Sequence, residues 1–126
     1  MKPYALVIDD SRETADSLAE MLNLLGYQTR VAYGPRTAMN AVTHQFPDLI
    51  LLDIHMPGVD GPEVCRYLRR DPRTAQVPVI AISSDQQPEV IAEAMAAGAN
   101  HFLLKPITFE ALEEAVKLVT KGASSA

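Results

Sequence analysis

A single cysteine, Cys65, leaves no partner for a disulfide within the chain. That usage points to a reducing compartment. A basic surplus is also missing, since 11 Lys and Arg stand against 16 Asp and Glu, for a formal net charge of -5. Without it there is little to neutralise phosphates, which argues against direct nucleic-acid binding by this domain. No apolar stretch approaches the roughly 20 residues that span a bilayer. The opening apolar run, Tyr4 to Ile8, is short and ends in two aspartates, unlike a secretory leader. These absences predict a cytoplasmic protein that does not engage a membrane. The three histidines and the one cysteine lack zinc-ligand spacing. No glycine-rich phosphate loop follows the first apolar run, because Asp9-Asp10-Ser11-Arg12 stands there. A nucleotide or flavin site of that kind is thereby disfavoured. The aspartate-any-aspartate spacing of aspartate-nucleophile phosphatases is absent too.

What is present fits one globular domain of 126 residues, 48% hydrophobic and 21% charged. That length can bury a core without staples. The domain is expected over residues 1–121, with 122–126 a small, polar tail or linker stub.

Short apolar runs alternate with helical spacing. Tyr4 to Asp9 reads as a strand covered on both faces. Ala15, Leu18, Ala19, Leu22 and Leu25 then recur at helical intervals over residues 12–25, and Gly26 stops that helix. Tyr27 to Tyr33 is mixed in polarity and suits an edge strand. Pro35 opens a helix to about Gln45. Leu49 to Leu52 is a fully apolar strand. Asp60 and Glu63 have capping-box spacing and begin a helix that ends before Asp71-Pro72. Val77 to Ser83 is a strand, Pro88 opens a helix closed by Gly98, and Phe102 to Leu104 is the last strand. Thr108 caps a final helix that buries Phe109, Leu112, Val116 and Val119.

Five strands alternating with five helices predict an α/β fold, a parallel sheet with helices on both faces. The most apolar strands, the first, third and fourth, belong at the centre, which fits the order 2-1-3-4-5. Carboxyl ends of parallel strands share one rim, and ligands bind where neighbouring strands send their helices to opposite faces. With that order Asp9, Asp10 and Asp53 converge, flanked by Ser83 and Lys105. Clustered carboxylates repel, and a hard divalent cation with oxygen ligands relieves them. A carboxylate is also a nucleophile able to form an aspartyl phosphate. The metal and Lys105 would neutralise phosphoryl oxygens, and the Ser83 hydroxyl would donate to another. Taken alone, Asp9-Asp10 reads first as a strand-to-helix cap. Likewise Phe102 reads as core, Cys65 as a small buried hydrophobe, and Met21, Met39 and Met95 as core filler. The run Arg66, Arg69, Arg70 reads as a solvated helix face.

Four elements together resemble the receiver domain of two-component response regulators. They are Asp9-Asp10, the segment Asp53-Ile54-His55-Met56-Pro57-Gly58-Val59-Asp60-Gly61, Ser83, and Lys105-Pro106, at the family's separations. The resemblance covers essentially the whole chain. It implies a flavodoxin-like sheet in the order given above, so that order is not an independent expectation. By the same resemblance Asp53 is the phosphoacceptor, with Ser83 and Lys105 assisting. Magnesium (manganese is an alternative) would be held by Asp10, Asp53 and the backbone carbonyl of His55, with Asp9 acting through water. Phe102 matches the switch aromatic. His55 and Ser84 stand where phosphate access and hydrolysis are tuned. Arg12, Thr14, Pro106 and Ile107 match the donor-docking surface, and Lys105-Pro106 is often a cis peptide in the family. The implied partners are a sensor histidine kinase or a histidine phosphotransfer protein, then an output domain or partner protein. Those are reached through the surface of the fourth helix, fifth strand and fifth helix, which is also where such domains pair as homodimers. The domain would catalyse its own phosphotransfer and dephosphorylation while acting chiefly as a switch. The competing reading is an interaction module on the same fold that works without phosphate.

Overall fold

The computed structural model describes residues 2–124, with side chains as far as residue 120. Ten elements alternate without exception: β1 Tyr4–Ile8, α1 Arg12–Leu24, β2 Gln28–Ala32, α2 Pro35–His44, β3 Leu49–Asp53, α3 Gly61–Arg70, β4 Val79–Ser83, α4 Pro88–Ala96, β5 His101–Leu104 and α5 Phe109–Ser124. All strand pairings are parallel, in the order β2-β1-β3-β4-β5. Every residue of β1, β3 and β4 is buried, whereas β2 alternates and β5 is only partly covered. Continuous apolar runs go to the centre because both faces there are roofed by helices.

The two roofs are distinct. Leu6, Ile8, Ile50 and Leu52 face α2, α3 and α4 through Ala38, Val42, Cys65, Leu68 and Ala94. Ala5, Val7, Leu49, Leu51, Ile80 and Ile82 face α1 and α5 through Leu18, Leu22, Leu112 and Val116. Each fully buried Leu or Ile contributes roughly 1.5–3 kcal/mol relative to exposure. Cys65 is buried as expected.

Local chemistry sets the helix starts. The N-cap of α1 is Ser11, whose Oγ accepts from the Thr14 amide at 3.4 Å. The cap therefore does not fall on Asp9 or Asp10, leaving their carboxylates for other work. Asp60 caps α3 by accepting from the Glu63 amide at 3.1 Å, and Thr108 Oγ1 accepts from the Ala111 amide at 3.1 Å. The reciprocal half of the expected capping box does not form. Glu63 turns along its helix to Arg66 and Arg70 at 3.1 and 3.0 Å instead, ion pairs that hold its carboxyl below the usual range. Gly61 is needed for closeness, since a Cβ there would lie 2.3 Å from the Ile54 Cα.

Three expectations change. The β4 strand starts at Val79 rather than Val77, because Pro78 has no amide to donate to a ladder. Met95 is 41% exposed and is not core filler, since it sits on the outer side of α4. The helix α5 runs to Ser124, beyond residue 121 where the domain was expected to end. Residues 125 and 126, the rest of that expected tail, lie outside the described residues. Among the described residues, no helix is long and apolar enough to cross a membrane.

Candidate functional site

The neighbours β1 and β3 send α1 and α3 to opposite faces, which opens a crevice at their carboxyl ends. Asp9 follows β1 and is fully buried. Its Oδ1 accepts from the Ser11 amide at 2.9 Å. Its Oδ2 lies 2.9 Å from Lys105 Nζ but makes no hydrogen bond, so this buried oxygen has only an ionic partner. Asp53 ends β3, also buried. It accepts from the His55 amide at Oδ1 (2.9 Å) and from Lys105 Nζ at Oδ2 (3.2 Å). Asp10 is exposed at the mouth. Carboxylate oxygens of Asp9, Asp10 and Asp53 all lie within 4.8 Å of one another.

Electrostatics reflect this crowding. Burial pushes the Asp53 carboxyl up, and the Asp9 charge adds to it, against the opposing pull of the His55 amide and Lys105. Burial alone would pull the Lys105 ammonium down, but the contacts with Asp9 and Asp53 outweigh it and hold its pKa above the ordinary value. Three carboxylates thus share one cation. An oxygen-only donor set, with one buried oxygen lacking a hydrogen bond and one acid open to solvent, fits a hard divalent ion.

Ser83 ends β4 and is buried. Its Oγ accepts from the Asp85 amide at 3.0 Å, and its carbonyl accepts from the Lys105 amide at 2.8 Å, fastening the lysine to the central sheet. Among the described residues the Ser83 hydroxyl hydrogen has no acceptor. Phe102 is half-buried on β5, in register with Ala81, and packs against the core beneath α4. His55 and Ser84 are exposed at the rim. The Lys105–Pro106 peptide is cis.

Beside the carboxylates, Thr14, Ser84, Lys105, Pro106 and Ile107 line an open cavity of about 380 Å³, together with Glu13, Ser17 and Leu18. Arg12 does not line it. Its guanidinium stacks 4.4 Å over the Tyr33 ring, and the Tyr33 hydroxyl donates to Asp16 at 3.4 Å. The structure therefore brings together three of the four expected docking residues and turns Arg12 toward the end of β2.

One arginine differs from the sequence reading. Arg69 is not part of a solvated face. It donates to four backbone carbonyls and to Asn100, far from the carboxylates. No local pattern signals this, because its acceptors lie in loops up to 31 residues away.

Fold and rim define a doubly wound α/β domain whose carboxyl edge presents an acidic cluster paired to one lysine. The chain matches the response regulator receiver domain family over residues 5–117 and belongs to it. It is 36% identical to the response regulator PleD of Caulobacter vibrioides over 96% of its own length and 27% of that protein. It is 33% identical to the transcriptional regulator RpaA of Synechocystis over 94% of its length and 49% of that protein. Among solved structures it is similar to the receiver domain of a signal transduction histidine kinase from Syntrophus aciditrophicus, with TM-score 0.87 and 31% identity, covering 98% of this chain and 94% of that one. It is also similar to the chemotaxis protein CheY4 of Vibrio cholerae, with TM-score 0.89 and 26% identity, covering 94% and 99%. The chain spans about half or less of the curated relatives named here.

Proposed function

We propose that this receiver domain takes a phosphoryl group from a phosphohistidine onto Asp53 and signals through the resulting change of surface. The observation that carries this is the convergence of Asp9, Asp10 and Asp53 within 4.8 Å, with Lys105 ion-paired to two of them, Asp9 and Asp53. A sensor histidine kinase or a histidine phosphotransfer protein would be the donor.

An Asp53 carboxylate oxygen attacks phosphorus while the phosphorus–nitrogen bond to the donor imidazole breaks. The bonding pair leaves with the imidazole nitrogen, and the product is an acyl phosphate. Little covalent chemistry falls to the protein, so positioning and charge dominate. The His55 amide and Lys105 hold the Asp53 carboxylate in place. Lys105 neutralises charge on the transferred group. The Ser83 hydroxyl hydrogen is available to a phosphoryl oxygen. Asp10, Asp53 and the His55 carbonyl would hold magnesium (or manganese), with Asp9 assisting through water. When bound, the ion supplies charge neutralisation at the phosphoryl oxygens.

The added charge is about -1.5 to -2, taking phosphoserine as the guide. It draws Ser83 and Lys105 toward the phosphate. Movement of Ser83 frees space beneath α4 for Phe102, which is half-buried there. The α4–β5–α5 surface then shifts population between two states and is read by an output domain or a second copy. His55 and Ser84 at the rim would govern the access of water, and Thr14, Pro106 and Ile107 would receive the donor.

The test is uptake of labelled phosphate from acetyl phosphate and from a phosphorylated kinase domain, each with magnesium. Wild type should be labelled and Asp53→Ala should not. Equal labelling of the variant refutes the acceptor assignment.

A further inference from the structure

The two ends of α4 are held in different ways. At its amino end the N-cap Gln87 makes no side-chain cap bond, and residues 84–89 are mostly exposed. At its carboxyl end Arg69, from the last turn of α3, forms a dense set of bonds. Its Nε donates to the Gly98 carbonyl at 3.0 Å. Its Nη1 donates to the carbonyls of Thr74, Ala75 and Val77 at 3.3, 3.2 and 2.6 Å. Its Nη2 donates to Asn100 Oδ1 at 2.7 Å, and the same oxygen accepts from the Val79 amide at 2.8 Å.

No carboxylate is among these partners. The cation is satisfied by carbonyl oxygens of the loop between α3 and β4 and of the turn that follows α4. A planar fork with five donors can bond all of these at once, which an ammonium cannot. The acceptors are themselves fixed. Thr74, buried, donates from Oγ1 to the Leu68 carbonyl at 2.6 Å, and Arg73 closes on Asp71 at 2.9 Å. Gly98 has φ +118°, and a Cβ there would lie 2.7 Å from the Arg69 Cγ, so the arginine stem lies directly on that turn.

We infer that Arg69 pins the carboxyl end of α4 and the α4–β5 turn to α3 and to the start of β4, so that switching displaces α4 at its amino end only. Arg69 acts as a positioning residue, with no contact to the phosphorylation site. The inference rests on the proposed function for its trigger, not for the pin itself.

Amide hydrogen exchange tests both parts. The amides of Ala97, Gly98, Ala99 and Asn100 are bonded to Glu93, Met95, Ala94 and Val79 carbonyls, so each reports directly. In wild type, beryllium fluoride with magnesium should alter exchange over residues 84–91 and leave 97–100 unchanged. In Arg69→Met, which keeps the stem, exchange at 97–100 should rise about tenfold without ligand, and the ligand response should spread to them. Labelling of Asp53 by acetyl phosphate should stay within about twofold of wild type, a readout that general loss of structure would not spare. If Arg69→Met fails to fold, Asn100→Ala should loosen the same amides, while Asn100→Asp, which retains the acceptor, should restore protection. A wild-type response equal at both ends of α4 overturns the inference, as does unchanged exchange at 97–100 in both loosening variants. Absence of any ligand response in wild type would count against the phosphoacceptor reading, while the ligand-free comparison still decides the pin.

Discussion

The two edges of the sheet solve opposite problems with one cation each. At the carboxyl rim, Lys105 faces more acid than it can neutralise, and a buried oxygen of Asp9 is left without a hydrogen bond. At the amino edge of β4 and β5, Arg69 meets no acid, and its donors are spread over carbonyl oxygens and one amide. The first arrangement is costly until something positive arrives, so it marks a site. The second is complete as it stands, so it marks scaffold. A charged side chain is therefore informative through the balance of its partners rather than through its burial.

The expected effects fall in that order. Chelation of divalent ions should cut labelling of wild type from acetyl phosphate by at least about 100-fold, because charge on the phosphoryl oxygens would then meet only Lys105. Undiminished labelling in chelator would remove the metal from the account. Replacing Lys105 by Met should slow labelling by about 100-fold, the scale of losing one preorganised charge contact. Calorimetry on the same variant should show no comparable collapse of folding.

Arg69→Met should invert that pattern. Loss of bonds that leaves carbonyls unpaired should lower stability by about 2 kcal/mol in urea unfolding, with labelling nearly unchanged. If Arg69→Met instead lost labelling and kept stability, the contrast between the edges would be wrong.

The smallest effect has the opposite sign. Burial raises the Asp53 carboxyl, so its ionised form is disfavoured in the folded domain. Asp53→Asn should therefore stabilise the metal-free protein at neutral pH by about 1 kcal/mol, roughly 4 °C in Tm. The sign follows from linkage. Below the unfolded carboxyl value, about 3.9, both states hold the proton and the two proteins differ least. As pH rises through the higher folded value, wild type loses stability that the amide variant keeps. Thermal melts across pH 3–8 in chelator, sampled about every unit, would show the gap opening upward in pH. A gap that closes upward would contradict the direction.

Sequence carried much of this and missed a definable part. Central strands were legible because apolar runs such as Leu49 to Leu52 have no polar face to offer solvent. The rim was legible because four of the five strands stop at a residue with chemistry of its own, Asp9, Asp53, Ser83 or Lys105. Arg69 was illegible because its meaning lies in backbone carbonyls from two loops, which no side-chain pattern records. The stacking of Arg12 was illegible for a related reason: its neighbour Tyr33 reaches it only through the β1–β2 pairing. Proline was the local signal underweighted, since Pro78 alone moves the start of β4.

Reductive trapping of the labelled residue is the most direct measurement of the central claim. Wild type would be treated with acetyl phosphate and magnesium, reduced with borohydride, digested and sequenced by mass spectrometry. The reduced side chain is expected at residue 53 and nowhere else. Modification at residue 9 or 10, or at a histidine, would contradict it.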